Sequence, residues 1–213
     1  MEKIVNTTVF KNPAFHSMRA LAHAQIDRLK WRHHGIGVLQ GYVVENAEPE
    51  IRLHIWAKRL LKPGMDVSGD IHDHRFDMVS HVLYGFVEHE EIIEREDPNG
   101  DYETLALTHA RAAADTNYHG PTTALAGRYR VSRLRHIIDQ GFSYTFKAQV
   151  FHRSPLGEVD DLAVTCVEKH RQVDAPARLL YPVAHEPVMA FGHSQNEGEI
   201  RDIVAEAKRR LTL

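Results

Sequence analysis

Cysteine is nearly absent from this chain, which has one, Cys166, in 213 residues. A lone cysteine excludes an internal disulfide and a paired-cysteine zinc site, and it fits a reducing compartment. It lies in the apolar run Leu162-Ala163-Val164-Thr165-Cys166-Val167, where an inert buried thiol is expected ahead of a reactive one. Long apolar runs are missing as well. None approaches the roughly 18 residues of a membrane span, and the residues after Glu2 and Lys3 have no signal-peptide core. A cytoplasmic protein is expected. There is no large excess of charge of either sign: a net charge of −3 gives no reason to expect nucleic acid or an anionic membrane as partner. Phosphate-binding glycine loops, dinucleotide fingerprints and nucleophile elbows are also missing.

What is present reads as one globular core: 43% hydrophobic and 26% charged residues over a length that suits a single domain, 1–213. Residues 14–31 have helical spacing, with Phe15, Met18, Ala22, Ile26 and Leu29 on one side, until Gly35 and Gly37 break it. Strand character follows at 38–44, 51–61, 71–84, 86–94, 102–108, 128–138, 142–150 and 162–168. The turns between them include Lys62-Pro63-Gly64 and Asp97-Pro98-Asn99-Gly100. The segment after Gly85 reads as the return strand of a hairpin. Residues 109–126 give no clear pattern. A proline-containing tail wraps back, and residues 198–212 form a last helix capped by Ser194 or Asn196. Short strands at this spacing predict an antiparallel sandwich or barrel, with a helix before and a helix after.

Histidine is abundant, at 16 residues, so spacing matters more than number. In Ile71-His72-Asp73-His74-Arg75-Phe76-Asp77-Met78 two histidines stand two apart. On a strand such residues share a face and can aim two imidazoles at one point. Neutral imidazole suits zinc, iron, copper and nickel. His152, just past the strand 142–150, is the candidate third ligand. His33, His34 and His170 have no partner at ligand spacing. His81 falls on the opposite face by strict alternation, although a bulge could turn it inward. Asp73 and Asp77 could orient a ligand ring, with a salt bridge or solvated position the competing reading for Asp73. Phe76, Ser80 and Tyr84 share the ligand parity.

His72-x-His74, Gly85 and a lone histidine some 80 positions on resemble the two-motif signature of the cupin superfamily. The resemblance covers residues 51–168 and implies an all-β fold, a double-stranded β-helix (jelly-roll) barrel over roughly 36–170 with flanking helices. The family's first motif usually carries a glutamate seven residues before its glycine, and here that position is Met78. A thioether is a poor ligand for a hard divalent ion. The ligand set implied is therefore His72, His74 and His152, similar to the three-histidine thiol dioxygenases. That resemblance implies Fe(II) in a mononuclear non-haem oxygenase acting on a small anionic molecule with O2; Zn, Ni, Mn or Cu would also suit the cage. The tyrosine those dioxygenases carry after the third ligand has no equivalent, because Val164-Thr165-Cys166-Val167 stands there. The alternatives are a lyase or isomerase using Zn or Ni as Lewis acid, and a non-catalytic binding cupin. Tyr144 is the candidate polar wall residue, and Arg133 or Arg130 the candidate anchor for an anionic substrate, on a strand whose charges otherwise read as a solvated edge. Homodimerisation through barrel faces or terminal segments is implied by the resemblance alone.

Overall fold

The computed structural model describes residues 5–34, 38–60, 71–107, 122–155, 162–184 and 197–212. Thirteen strands and two helices follow one another along these segments. In chain order they are β1 (Thr8–Lys11), α1 (Phe15–Gln25), β2 (Arg32–His34), β3 (Val38–Val44), β4 (Glu50–Ala57), β5 (Ile71–His72), β6 (Phe76–Tyr84) and β7 (Phe86–Glu96). Then come β8 (Tyr102–Leu107), β9 (Thr122–Asp139), β10 (Phe142–Phe146), β11 (His152–Arg153), β12 (Leu162–Gln172), β13 (Ala177–Pro182) and α2 (Glu197–Leu211). One sheet has the order β1-β10-β6-β12-β4-β3-β2, and β11-β5-β13-β8-β9-β7 closes into a ring. This is the mostly-β jelly-roll the sequence predicts. Ser194, Asn196 and Pro63-Gly64 lie outside the described residues.

Several expectations change. The helix predicted over 14–31 ends at Gln25, continues as a short 3-10 turn to Arg28, and gives way to β2. Asn12 starts it, its Oδ1 accepting from Ala14 N at 2.9 Å. Strands β1, β2 and β13 fall outside the predicted span 36–170. β7 is not the hairpin partner of β6: it pairs with β9 and β11, while β6 pairs with β10 and β12. Gly85 carries the chain from one sheet to the other, at φ 71°. A Cβ there would meet Leu162 O at 2.9 Å.

Three cores result. α1 and α2 cover the outer face of the seven-stranded sheet, where Ile26, Leu39, Leu53, Ile55, Leu83 and Ile203 pack. Arg19 of α1 donates to the carbonyls of Arg210 and Leu211, closing the end of α2. Between the sheets lie Val38, Trp56, Met78, Val82, Tyr144 and Phe146. On the far face of the ring Ile71, Ile92, Phe151 and Leu180 form a third cluster.

Both Gly85 and Gly141 adopt positive φ, but a Cβ at Gly141 meets nothing within 4 Å. Gly141→Ala is therefore expected to cost about 1–2 kcal/mol, the left-handed backbone penalty alone. Gly85→Ala should cost more, because the Leu162 carbonyl must also move. Urea unfolding of the two variants checks the order.

Candidate metal centre

The site forms on a row of three adjacent strands. His152 of β11 is the register partner of His72 on β5 and of Glu91 on β7. Directly opposed residues share a face, so His72, His152 and Glu91 all point toward the seven-stranded sheet. His74 follows one turn of the pleat after His72, and the ligand nitrogens of His72, His74 and His152 lie within 4.8 Å of one another. His152 is buried, 3% exposed. Its Nδ1 lies 3.0 Å from Val150 O, so in the tautomer that donates there Nε2 is left to bind an ion. Three such imidazoles fit a divalent metal.

The histidine pair is held from behind. Asp73 points to the opposite face, is 1% exposed, and accepts from Arg178 N and Arg178 Nε, both at 2.6 Å. Burial pushes the Asp73 carboxyl up despite the guanidinium beside it. Arg178 also donates to Gln149 O at 3.1 Å and lies over the Phe151 ring. Gln149, at φ 64°, in turn gives its backbone N–H to His74 O at 2.8 Å. Asp73, Arg178 and Gln149 thus fix the backbone on both sides of the ligands.

The wall facing these histidines is aromatic. Phe146 lies 4.3 Å from the His152 ring and Phe76 stacks on His74 at 4.6 Å, centroid to centroid. Tyr144, 1% exposed, packs its ring against those of His89 and Phe146, and burial raises its pKa. Met78 packs in the core between the sheets. A shift in the β6–β12 register near Leu83 turns Tyr84 outward, where it meets Arg210. His81 faces away from the site: its Nδ1 lies 2.7 Å from Ser143 Oγ and its Nε2 3.2 Å from Glu168 Oε1. Asp77 accepts from Ala148 N and Lys147 Nζ rather than from a histidine.

Arg130 and Arg133, the expected anion anchors, are not gathered with the histidines. Arg130 is exposed and pairs with Asp97 at 2.9 Å. Arg133 is exposed and donates to Tyr102 Oη at 3.0 Å. Arg133 is opposite Ile92 in the β7–β9 ladder, and Ile92 belongs to the cluster on the far face of the ring.

Two histidines the sequence reading did not single out stand here. His89 on β7, 0% exposed, has its ring 5.5 Å from that of His152 and 4.8 Å from that of Tyr144. Its Nε2 lies 3.1 Å from Thr7 Oγ1, and its Nδ1 has no partner among the described residues. His136, its register partner on β9, is 6.2 Å away. The signal for His89 was its spacing two residues from Glu91, masked by the acidic run around it. Glu91 itself is taken up by the N-terminal segment, accepting from Asn6 N and Thr7 N.

No protein-family model matches the chain, and no curated protein sequence matches it. Among solved structures it is similar to a cupin 2 domain-containing protein from Halorhodospira halophila, at 10% identity over 97% of this chain and 96% of that one, TM-score 0.37. It is also similar to a non-heme alpha-ketoglutarate-dependent epimerase from nogalamycin biosynthesis, at 8% identity over 90% and 91%, TM-score 0.32. A third is a cupin-2 domain protein from Rhodospirillum rubrum, at 11% identity over 99% and 93%, TM-score 0.23. The jelly-roll with three histidines converging between its sheets is the architecture that the cupin resemblance implies. No helix among the described residues is long and apolar enough to cross a membrane.

Two predictions follow from the supports. Arg178→Met leaves a buried carboxyl unpaired and should cost about 3–5 kcal/mol. Metal affinity should fall about 10- to 100-fold, as for other residues that orient ligands; urea unfolding and a metal titration measure both. The second concerns pH. Burial pushes His89 down to about 3 and His152 well below its ordinary value, so both are neutral in the folded chain. The unfolded chain takes up these protons near pH 6.5. Stability is therefore present in full above that value and lost as pH falls toward 3. His89→Gln should flatten the pH slope of unfolding of the metal-free protein, by on the order of 3 kcal/mol at pH 4.

Proposed function

We propose that the protein is a metal-dependent cupin enzyme, a mononuclear non-haem iron oxygenase acting on a small anionic molecule. The observation that carries this reading is the donor set: among the described residues three imidazoles converge with no carboxylate beside them. Neutral ligands leave the full charge of a divalent ion uncompensated, and an anionic substrate brings the missing negative charge. Iron(II) held by His72, His74 and His152 would supply redox chemistry toward O2 and open positions for a chelating anion.

The chain's own residues prepare the surroundings. Phe76 and Phe146 exclude water from one side of the histidines. Tyr144 keeps its proton, since burial raises its pKa. A neutral phenol there can hand a proton to a substrate atom and take one back. His89 adds an uncharged ring nitrogen without a partner among the described residues.

The test begins with metal content after purification without oxygen. Near-stoichiometric iron in wild type, lost in His74→Ala and His152→Ala, supports the cage; zinc or nickel instead of iron turns the reading to Lewis-acid chemistry. Oxygen uptake by iron-loaded protein is then followed with a panel of small anionic thiols and carboxylates. Tyr144→Phe should keep its iron and lose about 100-fold in turnover. No uptake with any member of the panel defeats the oxygenase reading.

A further inference from the structure

Strands β4 and β12 of the seven-stranded sheet turn some of their charged residues to the interior. On β4 the apolar Ile51, Leu53 and Ile55 pack toward the helices, and Trp56 packs between the sheets. Alternation then places His54, Arg52 and Glu50 on the same inner face as Trp56. On β12, Val167 belongs to the same inner cluster, so Lys169 also points inward, opposite Glu50 and Met78 in the two ladders. An inward arginine and an inward lysine thus share one side of the barrel with the three histidines.

Lys169 and Arg52 converge on a single carboxylate. Lys169 Nζ lies 3.0 Å from Glu50 Oε1, and Arg52 Nη2 lies 2.5 Å from the same oxygen. Arg52 also donates to Gln40 Oε1 at 3.1 Å and lies over the Tyr42 ring. Among the described residues Glu50 is the one carboxylate that pairs with either cation, so the group keeps an excess positive charge. Arg75 adds to it: both Arg52 and Arg75 repel the Lys169 proton, on top of burial. Side chains of Lys169 and Glu50 are each 19% exposed and that of Arg52 is 17% exposed, so a solute can reach them.

The group is also near the histidines. Lys169 Nζ sits 4.1 Å from the centroid of Phe76, and that ring stacks on His74 at 4.6 Å. One aromatic ring separates the ammonium from a ligand imidazole. A molecule a few carbons long spans that separation.

We infer that Lys169 and Arg52 form an anion subsite that anchors one end of a small dicarboxylate, whose other end reaches His72, His74 and His152. The inference rests on the metal-site reading for its second end only. The first end is recognised by two cations that share one carboxylate, and the second by the positive charge of a tri-histidine ion. Two centres of excess positive charge, separated by one aromatic ring, select a molecule with an anion at each end over one with a single charge.

Isothermal titration of metal-free and iron-loaded protein with succinate and glutarate, with acetate as the single-charge comparison, tests this. Succinate or glutarate should bind the iron-loaded protein at least about tenfold more tightly than acetate. Lys169→Gln should weaken that binding about tenfold or more with iron content unchanged, and Lys169→Arg should restore most of it. Glu50→Gln removes the competing carboxylate and should tighten binding several-fold, a gain that a merely structural role would not produce. Wild-type affinity in both Lys169→Gln and Arg52→Gln, or equal affinity for acetate and the dicarboxylates, overturns the subsite. The two readings fail separately. If wild type holds no iron, the function reading falls, and succinate binding by metal-free protein that is lost in Lys169→Gln still upholds the anchor.

Discussion

The site depends on a backbone pairing of very small extent. β5 and β11 are two residues long and meet through one register pair, His72 with His152. Strands this short do not hold a geometry by themselves. β11 is kept in line by β7, where Glu91 and Glu90 complete its pairing, and β5 by β13, where Leu179 and Leu180 do the same. The ring closure of six strands supplies the rigidity that two residues cannot. Asp73, Arg178 and Gln149 then fix the backbone where strand pairing ends, between His72 and His74. Preorganisation of this kind is what a metal cage needs, since loosely held ligands lose affinity for the ion.

The closed ring also accounts for what could be read in the sequence. His-x-His and a third histidine past a strand end rest on the period of two along a strand, which survives in any sheet. The predicted strands and flanking helices follow from the same local rules, and residues 71–107 show them most plainly. Long-range pairing was less legible. The hairpin expected at Gly85 has the right turn residue, but β6 and β7 belong to different sheets. A positive-φ glycine permits a hairpin turn and a sheet-to-sheet crossing equally, and only the partners of each strand decide. The tail, dominated in sequence by prolines, hides β13, which needs β5 and β8 on either side to become a strand.

The side-chain pattern misled in one instructive respect. Polar residues on a strand are expected to face water, and apolar ones the core. In β4 the apolar set, Ile51, Leu53 and Ile55, does face a core, but one built with α1 and α2 on the outside of the barrel. Its polar alternates therefore turn toward the other sheet. The same reversal conceals Lys169. Meanwhile the conspicuous arginines of β9 invite a functional reading and belong to ion pairs such as Arg130–Asp97 and Arg135–Glu88. A charge-rich strand whose cations find acids on the neighbouring strand and its turn is self-sufficient. A sparse one, in which two cations meet one acid, is not.

Electrostatics tie these placements together. Burial keeps His152 and His89 neutral, and a divalent ion requires neutral imidazoles. The desolvation that would make a protonated histidine costly thus favours ligation. Cations placed directly against that ion would oppose its binding, and the lysine stands one aromatic ring away from His74. Glu50 offsets part of its charge and part of that of Arg52, so the group is tolerable in the absence of any ligand. The remaining positive charge, on the same side of the sheet as the neutral His152 and His89, is what a bound anion would neutralise.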